Sequence, residues 1–459
     1  MKKISILLLL FLAVIKTWGQ EINFQIKFSE PLAVFDFVDN LSSNSPDNSF
    51  KKLFSSSKFN QEKYKTLIVE FDKLCIDYSY EYTEYPYAQK IGGSTKYLLK
   101  KSLINSQTIN DFRLRSVGVI PNVYLFTLSS ILTEFTPIYQ ELVYQPNKET
   151  FEKQLSDIEN LVVSKNIASY FNVGLKLYNS SWDNSIPFEI AFYPLPNSKG
   201  FTATAFYNNA VSAIPTSLKD YNILLGVMIH EIFHILYDEQ SLLLKKDIEK
   251  WVNSNPSKNS SYAFLLLNES LATALGNGYV YGDLNGKEDT AAWYNRKYTN
   301  LMAKKIYPLV KEYILKQQSI DKTFVDNYIK IYDDNFSNWS LELDNLMTNR
   351  YILSDNSEDF NIVNQKFPYN SMSVYEDNVS QSSIEKMTRA PITKIIFISK
   401  DHKNKLQLVK QNFNELKNWE PNDQIDFTYS VLVEDKTYLL IINSVKNTTE
   451  KQIETLTIK

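Results

Sequence analysis

The chain has 459 residues, a formal net charge of −3, one cysteine and three histidines, and it is 44% hydrophobic and 14% aromatic. Glycine (11) and proline (15) are too scarce for a glycine-rich repeat or a fibrous architecture, and no basic stripe offers a surface for nucleic acid. A lone cysteine excludes both an intrachain disulfide and a metal site built from thiolates.

The first element in chain order is MKKISILLLLFLAVIKTWG. Lys2 and Lys3 precede a run from Ile4 to Ile15 that is apolar except for Ser5, and Thr17 and Gly19 place small residues before a cleavage point. This is the layout of a secretory signal peptide over residues 1–19, with an apolar run too short to span a bilayer. The expected product is extracytoplasmic, periplasmic or secreted, with no transmembrane segment once the signal is removed. Cleavage takes away three lysines and moves the net charge to about −6.

Residues 20–180 read as a mainly helical region. Segments 61–78, 122–135 and 148–171 carry apolar residues at three- and four-residue spacing, clearest for Phe151, Leu155, Ile158, Val162, Ile167 and Phe171. Cys75, in VEFDKLCIDY, is expected to be a buried small apolar side chain. The character changes near 180. IPFEIAFYPLP (186–196) and GFTATAFYNNAVSAIP (200–215) alternate and are bounded by Pro and Gly, as strands are. Ser217 and Asp220 form a capping-box pattern for a helix starting near Leu218.

That helix contains VMIHEIFHILYDE. His230 and His234 sit four apart, so they share a helix face and can reach one ion; Glu231 is rotated beside it, where a carboxylate can take a proton from water that a metal has activated. The surrounding residues are apolar nearly all round, so the helix is expected to be buried, and buried imidazoles and carboxylates need partners. The alternative is a packed helix that matches by chance, against which stands the rarity of histidine in the chain. Gly226, one turn before His230, calls for close approach of another backbone. The one further histidine, His402, lies far along the chain and reads as a solvated loop residue, so the third ligand is expected to be a carboxylate. SYAFLLLNESLATALGNGY (261–279) reads as a second buried helix, stopped by Gly276 and Gly278, and Glu269 is its single acidic residue. Asp238, a turn after His234, reads as a surface or outer-shell residue.

HEIFH followed by LNESLAT resembles the gluzincin metallopeptidases, especially their aminopeptidase branch. The resemblance implies that His230, His234 and Glu269 hold Zn²⁺ and that Glu231 is the catalytic general base; it covers these two helices. Thirty-four residues separate His234 from Glu269, more than in those families; Thr273 stands where thermolysin-like enzymes have a histidine-orienting aspartate; and no acidic motif for a substrate N-terminus occurs upstream. Exopeptidase activity is therefore not implied. An oxyanion donor is also required, and Tyr279, Tyr281, Tyr294, Tyr328, Tyr332 and Tyr351 are undistinguished candidates among thirty tyrosines. By the same resemblance the strand 200–215 lines a cleft, with Asn208 to Ser212 bordering the substrate.

Beyond a helical stretch at about 288–350, residues 354–392 read as polar linker. Strand, helix, strand and strand follow in 393–459. The expected fold is α+β: a mostly helical, zincin-like catalytic region (181–353) with a small β-sheet, and a small C-terminal α/β appendage. The expected function is an exported zinc-dependent metallopeptidase acting on a peptide or protein substrate. A non-catalytic binding or assembly protein on the same scaffold, or a zinc hydrolase of a non-peptide amide, are the alternatives.

Overall fold

The computed structural model describes residues 22–87, 89–90 and 92–458, so the expected signal peptide lies outside the described residues. Two mixed sheets organise an α+β chain. The first has the order β1-β4-β6-β5, from Phe24–Phe28 (β1), Phe188–Leu195 (β4), Ala203–Phe206 (β5) and Asn209–Pro215 (β6). β1 runs parallel to β4 and β4 to β6, while β5 is antiparallel to β6 and forms the edge. A two-residue pair, Ser79–Tyr80 (β2) with Gly93–Ser94 (β3), lies apart.

Side chains alternate across a strand, and this sheet buries both faces. Phe188, Ile190 and Phe192 of β4 and Ala210 and Ile214 of β6 join Leu224, Met228 and Ile232 from the histidine-bearing helix in one core. Ala191 and Tyr193 of β4 and Val211 and Ala213 of β6 face the other way, into a core with Phe35, Leu128 and Phe135 from the N-terminal helices. The sheet is thus a partition: the helices between residues 30 and 139 on one side, and on the other the histidine helix together with helices Gln145–Ser164 and Ile167–Tyr178.

The segment 200–215 is a hairpin rather than one strand. It turns at Tyr207, whose φ of 55° is left-handed, so Asn208 to Ser212 mostly belong to β6 inside the sheet and the free edge is β5. The segment 148–171 likewise divides, at left-handed Asn166, into helices Gln145–Ser164 and Ile167–Tyr178. Cys75 is exposed: the helix that begins at Glu62 ends at Asp72, leaving Cys75 beyond it in irregular chain.

The second sheet has the order β10-β11-β9-β7-β8 and comprises Asn349–Leu353 (β7), Met372–Glu376 (β8), Thr393–Ile398 (β9), Phe427–Leu432 (β10) and Tyr438–Asn443 (β11). All its pairings are parallel except β10 with β11. Residues 354–392, expected as linker, contain the helix Ser357–Lys366, β8 and the helix Gln381–Thr388. They belong to the α/β unit, which begins at β7. β8 (MSVYE) is half-buried at the sheet edge, a short strand set in polar flanking sequence. Arg350 of β7 is fully buried and donates to the carbonyls of Met347 and Phe367 at 2.9 Å each, tying 347–367 into the unit. No helix among the described residues is long and apolar enough to cross a membrane.

Candidate metal centre

The histidine helix runs from Tyr221 to Asp238. Asp220, not Ser217, caps it by accepting from the backbone N–H groups of Asn222 (3.0 Å) and Ile223 (3.4 Å), while Ser217 donates instead to the carbonyl of Ser198. The helix is buried among apolar neighbours on the sheet side and against a second helical stretch on the other.

That second stretch runs Ser260–Leu265, Leu267–Thr273, a π-helical turn Ala274–Val280, then Tyr281–Asn285. Gly276 and Gly278 do not stop it; Gly286, at φ 69°, ends it. Gly276 instead permits contact between backbones. A Cβ at Gly276 would lie 2.6 Å from the His230 Cβ and 2.9 Å from the Gly226 carbonyl oxygen. The close approach expected at Gly226 occurs, with the partner glycine carrying the tighter constraint. π-Turns of this kind concentrate at functional sites.

This packing brings three donors together. Nε2 of His230 and Nε2 of His234 are 3.1 Å apart, and Glu269 places Oε1 3.5 Å from His234 Nε2 and Oε2 3.9 Å from His230 Nε2. His230, His234 and Glu269 therefore form a group that could hold a metal ion. An ion bound tetrahedrally at about 2.0–2.2 Å requires donor–donor edges of about 3.3–3.6 Å. The observed edges bracket that range. Oε2 of Glu269 is buried without a hydrogen-bond partner among the described residues, an orphaned acceptor that a cation would satisfy.

The surroundings prepare the donors. His234 Nδ1 lies 2.9 Å from Asn268 Oδ1; with Nδ1–H donating there, Nε2 carries its lone pair toward the centre. Burial first, and then the neighbouring His234, hold the His230 ring well below the ordinary imidazole pKa, in the neutral form that ligates. Its side chain is 5% exposed, whereas Glu231 is 23% and Glu269 32% exposed, so the carboxylates mark the open side.

Glu231 has an oxygen 4.0 Å from His230 Nε2. Burial raises its carboxyl to about 7 and the Glu269 charge adds to this, against lowering by His234 and by the backbone of Ala205. The free-edge strand β5 therefore reaches the site at Ala205. This corrects the expectation for Asn208 to Ser212, most of which is covered by β4 on one side and β5 on the other.

Tyr294 is the tyrosine at the centre. Its ring stacks on His230 at 5.9 Å between centroids and 23° between planes, and burial together with Glu269 raises its hydroxyl pKa. The preceding residue fixes it: the Trp293 indole donates to the Asp289 carbonyl (2.9 Å), its backbone N–H donates to Asn300 Oδ1 (2.7 Å), and its ring packs over Gly278. Other candidates have their hydroxyls engaged elsewhere. Tyr328, for example, donates to the Ala263 carbonyl at 2.8 Å, and Tyr351 to Glu376 at 3.0 Å.

Asp238 is half-buried and pairs with Lys90 at 3.0 Å. His402 is half-buried, with Nδ1 2.8 Å from Asn443 Oδ1 at the end of β11, in the α/β unit. Asn268 was not singled out in the sequence, although a polar pair, Asn268–Glu269, in an apolar helix was a usable signal. No protein-family model, curated protein or solved structure matches the chain.

Proposed function

We propose that the chain is a zinc-dependent peptidase, hydrolysing a peptide or protein outside the cytoplasm, on a scaffold resembling the gluzincins. The convergence of His230, His234 and Glu269 from two separate helices, with an orphaned carboxylate oxygen at its centre, carries this reading. Two imidazoles and one carboxylate are a donor set that suits zinc and leaves a fourth position open. Zinc, when bound, would supply an electrophile that acidifies water and polarises a carbonyl.

The remaining work falls to residues of the chain. Glu231, raised to about 7, is suited both to taking a proton from the attacking water and to returning it to the leaving amine. The Tyr294 hydroxyl, kept protonated by burial and by Glu269, is placed to donate to the oxyanion that develops on the scissile carbonyl. The unpaired edge of β5 offers backbone donors and acceptors to an extended substrate beside Glu231.

Glu231→Gln and Tyr294→Phe in the metal-loaded protein test this assignment. Each is expected to keep its metal and lower kcat on a peptide substrate by roughly 100-fold or more. Unchanged turnover in Glu231→Gln would remove it as the base.

A further inference from the structure

A cavity of about 490 Å³ opens beside Asn268 and Glu269, and the C-terminal α/β unit walls it through Met372, Thr388 and Arg389. A second cavity, of about 980 Å³, lies between the tyrosine-rich segment around β2 and β3, Thr204 of the edge strand, and the same α/β unit. Tyr87, Met372 and Arg389 line both. Arg389 therefore stands where the two chambers meet, facing the N-terminal segment 77–100 across the larger one.

The cations around these cavities are otherwise committed. Lys90 pairs with Asp238 (3.0 Å), Lys96 with Asp39 (3.0 Å), Lys100 with Asp36 (2.8 Å) and Lys386 with Glu376 (2.8 Å). Arg389 is exposed and makes no ion pair or side-chain hydrogen bond among the described residues. Two carboxylates of the smaller cavity leave it alone as well: Asp435 is held by Lys394 at 2.5 Å, and Glu249 shows no contact with it. Arginine is rare here, five in 459 residues against forty-four lysines, and its planar fork is the side chain that takes a carboxylate in two parallel hydrogen bonds. Beside Glu249 and Asp435, Arg389 is the one cationic side chain among the described residues that line the smaller cavity, so a negative group on a bound chain finds its counter-charge there.

We propose that Arg389 is a specificity-determining residue: it binds a carboxylate carried by the substrate, so the enzyme selects peptides with an acidic group on the side of the scissile bond that faces the C-terminal unit. The inference rests on the peptidase reading above and names the substrate class. It gives the C-terminal unit a part in the cleft, as the wall that reads charge.

The test uses the full chain, loaded with zinc, and a panel of quenched-fluorescence peptides. The peptides differ only by Glu, Gln or Lys at each position in turn, and by a free or amidated C-terminus, so the two sources of the carboxylate separate. One acidic position is expected to raise kcat/KM by roughly 10- to 100-fold, with a gain that shrinks as salt rises. In Arg389→Gln the acidic-to-neutral ratio should fall to about one, in Arg389→Lys it should be partly restored, and in Arg389→Glu it should invert toward lysine-bearing peptides. Metal content and Tm report that each variant folds. Equal cleavage of acidic and neutral peptides by the wild type, or an acidic preference that survives Arg389→Gln, overturns this proposal alone. Metal-loaded protein that cleaves no peptide overturns the peptidase reading and the proposal with it.

Discussion

Gly276 and His230 touch through their backbones: a methyl group at Gly276 would stand 2.6 Å from the Cβ of His230 and 2.8 Å from its Cα. The His230 ring thus takes its position from the absence of a side chain on the neighbouring helix. Gly276→Ala should force the two helices apart, costing about 1–3 kcal/mol of stability and weakening metal binding. At Gly226 the nearest contacts would be 3.3 Å to the Tyr281 Cβ and 3.4 Å to the Gly276 carbonyl oxygen, so Gly226→Ala should be near neutral. Thermal unfolding and metal affinity of the two variants check this; an innocuous Gly276→Ala would contradict it.

Asn268 lies where its side-chain oxygen can hold His234 in the tautomer that would ligate. Asn268→Ala leaves all three donors in place but frees His234 Nδ1, which now makes a 2.9 Å contact to Asn268 Oδ1. Loss of such a support lowers metal affinity by roughly 10- to 100-fold. Competition against a chelator measures this, and Asn268→Asp should retain the affinity. Equal affinity of the Ala variant and the wild type would show that the contact does not orient the ring.

Lys245 supplies a pH dependence of its own. It is fully buried, its Nζ lies 4.4 Å from the centroid of the Tyr237 ring, and it makes no hydrogen bond among the described residues. Burial draws its ammonium down to about 8, with Lys90 contributing, against Asp238 and Glu239, which pull it up. In the unfolded chain the ordinary value is 10.5. Between those values the unfolded state binds more protons than the folded one, so stability rises with pH from about 8 to 10.5. Below that window the full cost, on the order of 3 kcal/mol, is present. Lys245→Met should therefore raise Tm at pH 7 and flatten the rise above pH 8. An identical pH profile for variant and wild type would exclude Lys245 as its source.

The helices and donors were more legible in the sequence than their surroundings. His230, His234 and Glu269 were legible because ionisable residues in apolar helical runs need partners, and that pressure is local to each segment. The edge strand was not: 200–215 looks like one strand, and the left-handed turn at Tyr207 divides it into β5 at the edge and β6 inside the sheet. Tyr294 had no signal among thirty tyrosines, since its place beside His230 is set by Trp293 packing on Gly278, a contact that neither residue's own segment announces. The polar segment 354–392 concealed β8, a short edge strand set in polar flanking sequence.

The central claim is that one ion is held jointly by the two helices, and metal binding by the wild type beside Glu269→Ala tests it most directly. The purified wild type is predicted to carry about one zinc per chain and to keep it through dialysis against a weak chelator, while Glu269→Ala, folded by its Tm, loses it. A wild type that takes up no divalent ion, or a Glu269→Ala variant that binds as tightly as the wild type, would contradict the account.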